Sequence, residues 1–256
     1  MIQVNDNERK DSLGINDLEI IQNKDYFCFG IDSVLLANFV ESKSSKNVIV
    51  DLCSGSGVIS VIISAKKSYD KIISVELQNE MFDILQRNVS LNNLSDSIYA
   101  IKNDIKNISE IRKKIEEITK KDKVDIIVCN PPYKVVGTGS KNENEVKYIA
   151  RHEAKCTLED IFKTSSSLLK SKGKLYLVHK PERIVDLLAI SRKYNLEAKT
   201  IRFVNPTEAS KPSIVLIEYV KDGKNECKIL PPLIEYRKNK NGELEYTDEI
   251  HKIYNA

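Results

Sequence analysis

The sequence predicts an α/β domain in which a mainly parallel sheet is covered by helices on both faces. Three observations carry this expectation. From Val48 onward, short apolar runs alternate with stretches of helical spacing, the pattern of repeated strand–helix–strand units. The first run, Val48–Leu52, ends in the turn Cys53-Ser54-Gly55-Ser56-Gly57. The last two runs, Ala198–Val204 and Ile214–Val220, are separated by a loop with no helical pattern. A parallel crossover needs about a dozen residues or more, so these two are expected to pair antiparallel.

Taken in order, Gly57–Lys66 reads as a helix after the glycine turn, and Ile72–Val75 as a second strand ending at Glu76. Met81, Ile84, Leu85 and Val89 mark a helix over Met81–Leu91. Ile98–Ile101 is a third strand closed by Asn103-Asp104, and Ile108, Ile111, Ile115 and Ile118 give an amphipathic helix. Val124–Cys129 is a strand running straight into Asn130-Pro131-Pro132-Tyr133. Lys134–Lys147 is polar and glycine-containing and reads as a loop, with a lid as its functional reading. Leu158–Lys170 is a helix capped by Thr157, with Asp160 completing a capping box. Lys174–Val178 is a strand, and Pro181 opens a helix to Tyr194. In the tail, Asn241-Gly242 lies between Ile234–Arg237 and Leu244–Tyr246, a hairpin signal. The expected organisation is one catalytic domain over 1–225, with 1–45 covering the site, and an extension over 226–256.

Composition is that of a globular protein, 41% hydrophobic and 30% charged. The longest apolar stretch, Val58 to Ala65, is too short to span a bilayer. The N-terminus is polar and mixed in charge, so the cytoplasm is the expected compartment. Forty basic residues against 37 acidic ones give a net charge of +3, so any phosphate binding must come from local clustering. The five cysteines have no paired metal-ligand spacing and read as reduced thiols, with no metal expected.

Asp51 to Gly57 sits where a parallel strand hands over to a helix, which is where open α/β sheets bind ligands. Glycine there permits positive φ and close approach. Gly55-x-Gly57-x-x-Ser60 also approximates a dinucleotide fingerprint, so an NAD-dependent oxidoreductase competes at this point. Asp51 favours a methyl donor: a strand-end acid suits the cationic amino group of a methionine moiety and repels a pyrophosphate. Glu76 can accept ribose hydroxyls, and Asp104 can face the amino group of an adenine. Cys53, Ser54, Leu77, Ile105 and Asn130 join this cofactor set, with S-adenosylmethionine as donor and S-adenosylhomocysteine as product.

Asn130-Pro131-Pro132-Tyr133 suits a planar amine. Such a nitrogen is a poor nucleophile because its lone pair is delocalised. Acceptors on its two hydrogens, the Asn130 side-chain oxygen and the Pro131 carbonyl, favour a pyramidal nitrogen with its lone pair free. Pro131 and Pro132 stiffen the turn, and Tyr133 offers a stacking face.

Together these motifs resemble class I methyltransferases of the small type that modify amino groups, over about residues 20 to 220. The resemblance implies a seven-stranded sheet with a reversed last strand. Phe29-Gly30-Ile31-Asp32-Ser33-Val34-Leu35-Leu36-Ala37, Ala150-Arg151-His152-Glu153, Lys180-Pro181-Glu182-Arg183 and Asn205-Pro206 to Lys224 are similar to segments of bacterial tRNA adenine-N6-methyltransferases acting beside the anticodon of a valine tRNA. That resemblance implies tRNA as partner, with Gly30 and Asp32 as cofactor contacts and a monomer or weak homodimer as the working form. Cys53 departs from it, standing where such relatives often carry glycine or another small residue. Other targets of the same chemistry are guanine-N2 in rRNA, adenine-N6 in DNA and protein glutamine-N5. The glutamine-specific relatives usually carry an N-terminal helical domain, for which 1–45 leaves little room. A non-catalytic RNA-binding protein is a further alternative.

Lys134, Lys141, Lys147, Arg151 and Lys155 form a basic segment that reads either as an RNA contact or as a solvated loop. Arg151-His152-Glu153 reads equally as a surface ion-pair cluster. His179 reads as a structural histidine, and Arg237-Lys238-Asn239-Lys240 as an exposed hairpin tip.

Overall fold

A computed structural model describes residues 2–26, 28–132 and 156–255. The chain begins with a hairpin of β1 (Glu8–Ser12) and β2 (Glu19–Asn23), then α1 (Ile31–Phe39). Next come β3 (Val48–Leu52), α2 (Val58–Lys66), β4 (Lys71–Glu76), α3 (Asn79–Leu91), β5 (Ile98–Lys102), α4 (Ile108–Thr119) and β6 (Val124–Cys129). Beyond residue 155 come α5 (Leu158–Leu168), β7 (Leu169–His179), a 3-10 turn (Pro181–Arg183), α6 (Ile184–Lys193), β8 (Leu196–Asn205) and β9 (Ile214–Lys221). The tail forms β10 (Lys228–Ile229), β11 (Leu233–Ile234), β12 (Tyr236–Lys238), β13 (Leu244–Tyr246) and α7 (Asp248–Asn255).

The main sheet has the order β10-β8-β9-β7-β6-β3-β4-β5, with β11 also on β8. β3 to β7 pair in parallel, and β9 runs antiparallel to both β7 and β8. The expected antiparallel ending is therefore present. Seven strands were expected. The tail adds two more, each of two residues, along the outer edge of β8.

Residues alternate between two buried layers. Val48, Val50 and Leu52 of β3 face the layer of α4, α5 and α6, whereas Ile49 faces α1, α2 and α3. Burial on both faces explains why β3 and β6 read as unbroken apolar runs. Leu233, Ile250 and Ile253 of the tail belong to the same buried cluster as Leu35 and Leu36 of α1. The hairpin is fastened to α3 by the fully buried Asn88. Its Oδ1 accepts the Ile21 amide at 2.6 Å, and its Nδ2 donates to the carbonyls of Ile21 (3.1 Å) and Ser56 (2.9 Å). Arg87 also pairs with the buried Glu8 at 2.6 Å, holding that carboxyl below its usual range.

Some boundaries differ from the sequence expectation. The helix expected over Pro181–Tyr194 is a 3-10 turn followed by α6. β7 starts at Leu169 instead of Lys174, because Val124 pairs with Leu169 and Ile126 with Lys174, leaving the intervening residues as an irregularity. A Cβ on Gly173 would lie 2.9 Å from the Lys170 carbonyl, so the chain folds tightly there. The Thr157–Asp160 capping box and the tail hairpin are both formed. No helix among the described residues is long and apolar enough to cross a membrane.

Gly57 precedes α2 with φ +80, and a Cβ there would meet Leu85 Cδ1 at 2.3 Å. Gly57→Ala combines left-handed strain with overpacking, for a predicted loss of about 2–4 kcal/mol, to be read as a lower urea midpoint with unchanged slope.

Candidate active site

The parallel register sets the site. Leu52 lies opposite both Val75 and Cys129. The next residues, Cys53, Glu76 and Asn130, therefore leave three adjacent strands at one level. They border a cavity of about 440 Å³ at the carboxyl ends of the strands, a size suited to a cofactor-like molecule.

Gly30, Asp32, Cys53, Gly55, Glu76, Leu77, Asp104, Ile105, Asn130, Pro131 and Pro132 all line this cavity. Gly55 has φ +56 and Cys53 has φ +59. Cysteine in the left-handed region carries a cost that glycine at position 53 would avoid. Glu76 is buried, and its carboxylate accepts the amides of Gly55 (2.8 Å), Leu77 (2.9 Å) and Gln78 (2.8 Å). These bonds hold its orientation, although burial pushes its pKa upward. Asp104 is partly exposed, accepts the Lys106 amide at 2.9 Å and lies 3.5 Å from the Lys106 ammonium.

Three residues of the expected cofactor set are not among those lining the cavity. Gly57 packs against α3, so its glycine is demanded by Leu85. Ser54 and Asp51 are buried behind the turn. Asp51 Oδ2 accepts the Ser60 hydroxyl at 2.8 Å, and Ser60 also bonds Ser74 at 2.7 Å. This network accounts for serine where a dinucleotide fingerprint has glycine or alanine. Burial raises the Asp51 pKa to about 7, and nearby Glu76 adds to the effect.

Tyr133, Lys134, Lys141, Lys147, Arg151 and Lys155, with the expected lid and Arg151-His152-Glu153, lie outside the described residues. The cavity also takes in residues that sequence reasoning missed, including Met81, Asn103, Cys156, Lys180, Ser213 and Glu235. Asn103 and Lys180 belonged to segments already singled out but had been given no role at the site; Glu235, in the tail, carried no signal. Cys53 and Cys156 approach to 3.8 Å between sulfurs. Contact with Cys129 raises the Cys53 pKa, contact with Cys53 raises that of Cys156, and burial raises that of Cys129. All three are neutral thiols at neutral pH. His179 is buried, and its pKa falls to about 4 because of that burial, so it is a neutral structural side chain. Among the described residues no group of His, Cys, Asp or Glu is arranged to hold a metal ion.

Strand order, glycine turn and strand-end acids define a class I S-adenosylmethionine-dependent methyltransferase. The chain belongs to the methyltransferase small domain family, whose model matches residues 29–195. It is an N-methyltransferase that uses S-adenosylmethionine. A tRNA1(Val) (adenine(37)-N6)-methyltransferase of Photobacterium profundum is 25% identical over 189 residues, covering 73% of this chain and 75% of its own. A release factor glutamine methyltransferase of Clostridium botulinum is 28% identical over 149 residues, 55% of this chain and 50% of its own. The solved structure of a predicted O-methyltransferase from Agrobacterium tumefaciens has a TM-score of 0.65 at 19% identity, covering 87% of this chain and 95% of that one, a likeness of fold.

The residues fit the methyl donor. Asp51 Oδ1 and Ser54 Oγ are buried without a hydrogen-bond partner among the described residues. Such atoms are costly to leave unpaired unless a ligand completes them. Both lie behind the turn of Cys53 and Gly55, which does line the cavity, so a cationic amino group bound there would favour the ionised Asp51. Cofactor affinity should accordingly weaken as pH falls through about 7, and Asp51→Asn should flatten that dependence while weakening binding about 10- to 100-fold. Calorimetry from pH 5.5 to 8.5 checks both. The apo protein responds in the opposite sense. A carboxyl whose pKa is raised on folding loses stability as pH rises from its unfolded value to its folded one, so Asp51→Asn should raise the melting temperature at pH 8.

Proposed function

We propose that the chain transfers a methyl group from S-adenosylmethionine to the exocyclic N6 amine of an adenine in tRNA, beside the anticodon of a valine tRNA. One observation carries the reading: Asn130 leaves the central strand β6 at the cavity wall, and its Nδ2 is engaged by Ser33 Oγ at 3.0 Å. Its Oδ1 is then left as the acceptor for an incoming amine.

When bound, the cofactor supplies a methyl group already activated by its sulfonium. The remaining work belongs to the protein. Asn130 Oδ1 and the Pro131 carbonyl accept the two amine hydrogens and hold the nitrogen with its lone pair available. Pro131 and Pro132 keep that carbonyl in place. The neutral thiols of Cys53 and Cys156 add an uncharged wall that limits water. Positioning of this kind supplies most of the rate when neither reactant needs further activation. No base is required before transfer, because the alkylated nitrogen is cationic and loses its proton readily. A metal ion is likewise outside the proposal, since the donor carries its own activation.

The adenine and tRNA parts rest on the printed name of the Photobacterium relative and its coverage. The release factor relative matches about half of either chain, which supports only the shared catalytic segment. In this reading the basic residues Lys134, Lys141, Lys147, Arg151 and Lys155 contact RNA, Tyr133 stacks on the flipped base, and Gly30 and Asp32 cover the cofactor. The enzyme works in the cytoplasm as a monomer or weak homodimer. Residues 1–225 form its catalytic domain and 226–256 an extension that buttresses α1.

Mass spectrometry of tRNA nucleosides from a deletion strain is expected to show loss of N6-methyladenosine from valine tRNA. Unchanged N6-methyladenosine in every tRNA fraction would sink the proposal. Asn130→Ala is expected to slow methyl transfer about 100- to 1000-fold, as for other lost transition-state hydrogen bonds, with cofactor affinity nearly unchanged. A large loss of cofactor affinity would show that Asn130 serves the cofactor instead.

A further inference from the structure

We infer that Ser33 is a positioning residue for methyl transfer, its hydroxyl oxygen holding the Asn130 amide so that the carbonyl faces the target amine. The inference rests on the reading of Asn130 as the amine's acceptor. A side-chain amide has two chemically opposite ends on nearly the same shape, one donating and one accepting. A target amine presents hydrogens. If the Asn130 amide were turned over, its own hydrogens would face those of the amine, and an attraction would become a repulsion. The amide must therefore be held still, with its carbonyl toward the substrate side, before the substrate arrives.

The structure places an anchoring group against the other end of the amide. Ser33 Oγ accepts a hydrogen bond from Asn130 Nδ2 at 3.0 Å, across 97 positions of sequence. Ser33 is 3% exposed, so water competes little for this contact. The serine is held firmly. Its amide donates to Asp32 Oδ1 at 2.8 Å and to the Gly30 carbonyl at 3.2 Å. A Cβ on Gly30 would lie 3.0 Å from Asp32 Oδ1, so the first turn of α1 closes tightly on itself. Further along α1, Val34, Leu35 and Leu36 are buried, and Phe39 meets Tyr176 of β7 edge-on at 5.8 Å between centroids. The hydroxyl is thus mounted on a helix packed against β7, the neighbour of the strand that leads into Asn130. That geometry exceeds what packing alone requires: a buried alanine would fill the same turn, but it would leave the Asn130 amide without this anchor.

The test compares Ser33→Ala and Ser33→Cys with the natural enzyme, using tRNA transcript, S-adenosylmethionine and single-turnover kinetics. Cysteine keeps the size of the side chain but is a weak acceptor. Both variants are expected to transfer methyl about 10- to 100-fold more slowly at saturating substrates, the scale of a misplaced catalytic group. The KM for tRNA and the calorimetric affinity for S-adenosylmethionine should stay within about twofold. Natural rates in either variant would overturn the inference, since full recovery by cysteine assigns Ser33 to space-filling. A raised KM with unchanged kcat would also overturn it. Should Ser33→Ala fail to fold, Ser33→Cys carries the comparison alone. Asn130→Ala, measured alongside, separates the two levels. Natural turnover there removes the reading of Asn130, whereas a slow Asn130→Ala with fast Ser33 variants removes only the role of Ser33.

Discussion

The site depends on one constraint, the register of β3 against β4 and β6. Because Leu52 lies opposite both Val75 and Cys129, the chain delivers Cys53, Glu76 and Asn130 to a common rim without any loop having to reach for another. A one-residue slip in either pairing would exchange the two buried faces of that strand and carry its functional residue away from the cavity. The apolar residues that fix the register are therefore also what fixes the chemistry. Glu76 reinforces the arrangement by accepting amides from its own strand exit and from the glycine turn of the neighbouring strand.

Polar groups at the site fall into two kinds. Glu76, Asp104 and Asn130 have identified partners and line the cavity. Asp51 and Ser54 are buried, and among the described residues one atom of each has no hydrogen-bond partner, which is costly for a buried polar group. Ionising Asp51 is unfavourable in this burial, and in the proposed reading a cationic group bound at the turn would ease it. A pyrophosphate would aggravate it, which agrees with the methyl-donor reading over the dinucleotide one.

Much of this was legible in the sequence. Val48–Leu52 and Val124–Cys129 were bounded to the residue, because central parallel strands are apolar throughout and end abruptly at turn residues. The N-terminal hairpin was not: Glu8–Ser12 is entirely polar and earns its place through β2 and Asn88. The last helix, Asp248–Asn255, buries only Ile250 and Ile253 among its described side chains, too sparse a pattern to read alone. At the site, the strand-end residues were found because each follows an apolar run. Gly57 was assigned to the cofactor although its partner is Leu85. Ser33 and Glu235 were missed as site residues because their relation to Asn130 and the cavity is purely three-dimensional.

The tail has a consequence for how damage reaches the site. Leu233, Ile250 and Ile253 share one buried cluster with Leu35 and Leu36 of α1, the helix that carries Ser33. These three side chains are not among those that line the cavity, yet a polar replacement at any of them would loosen the seating of α1. Lesions far from the chemistry would thus present as losses of activity.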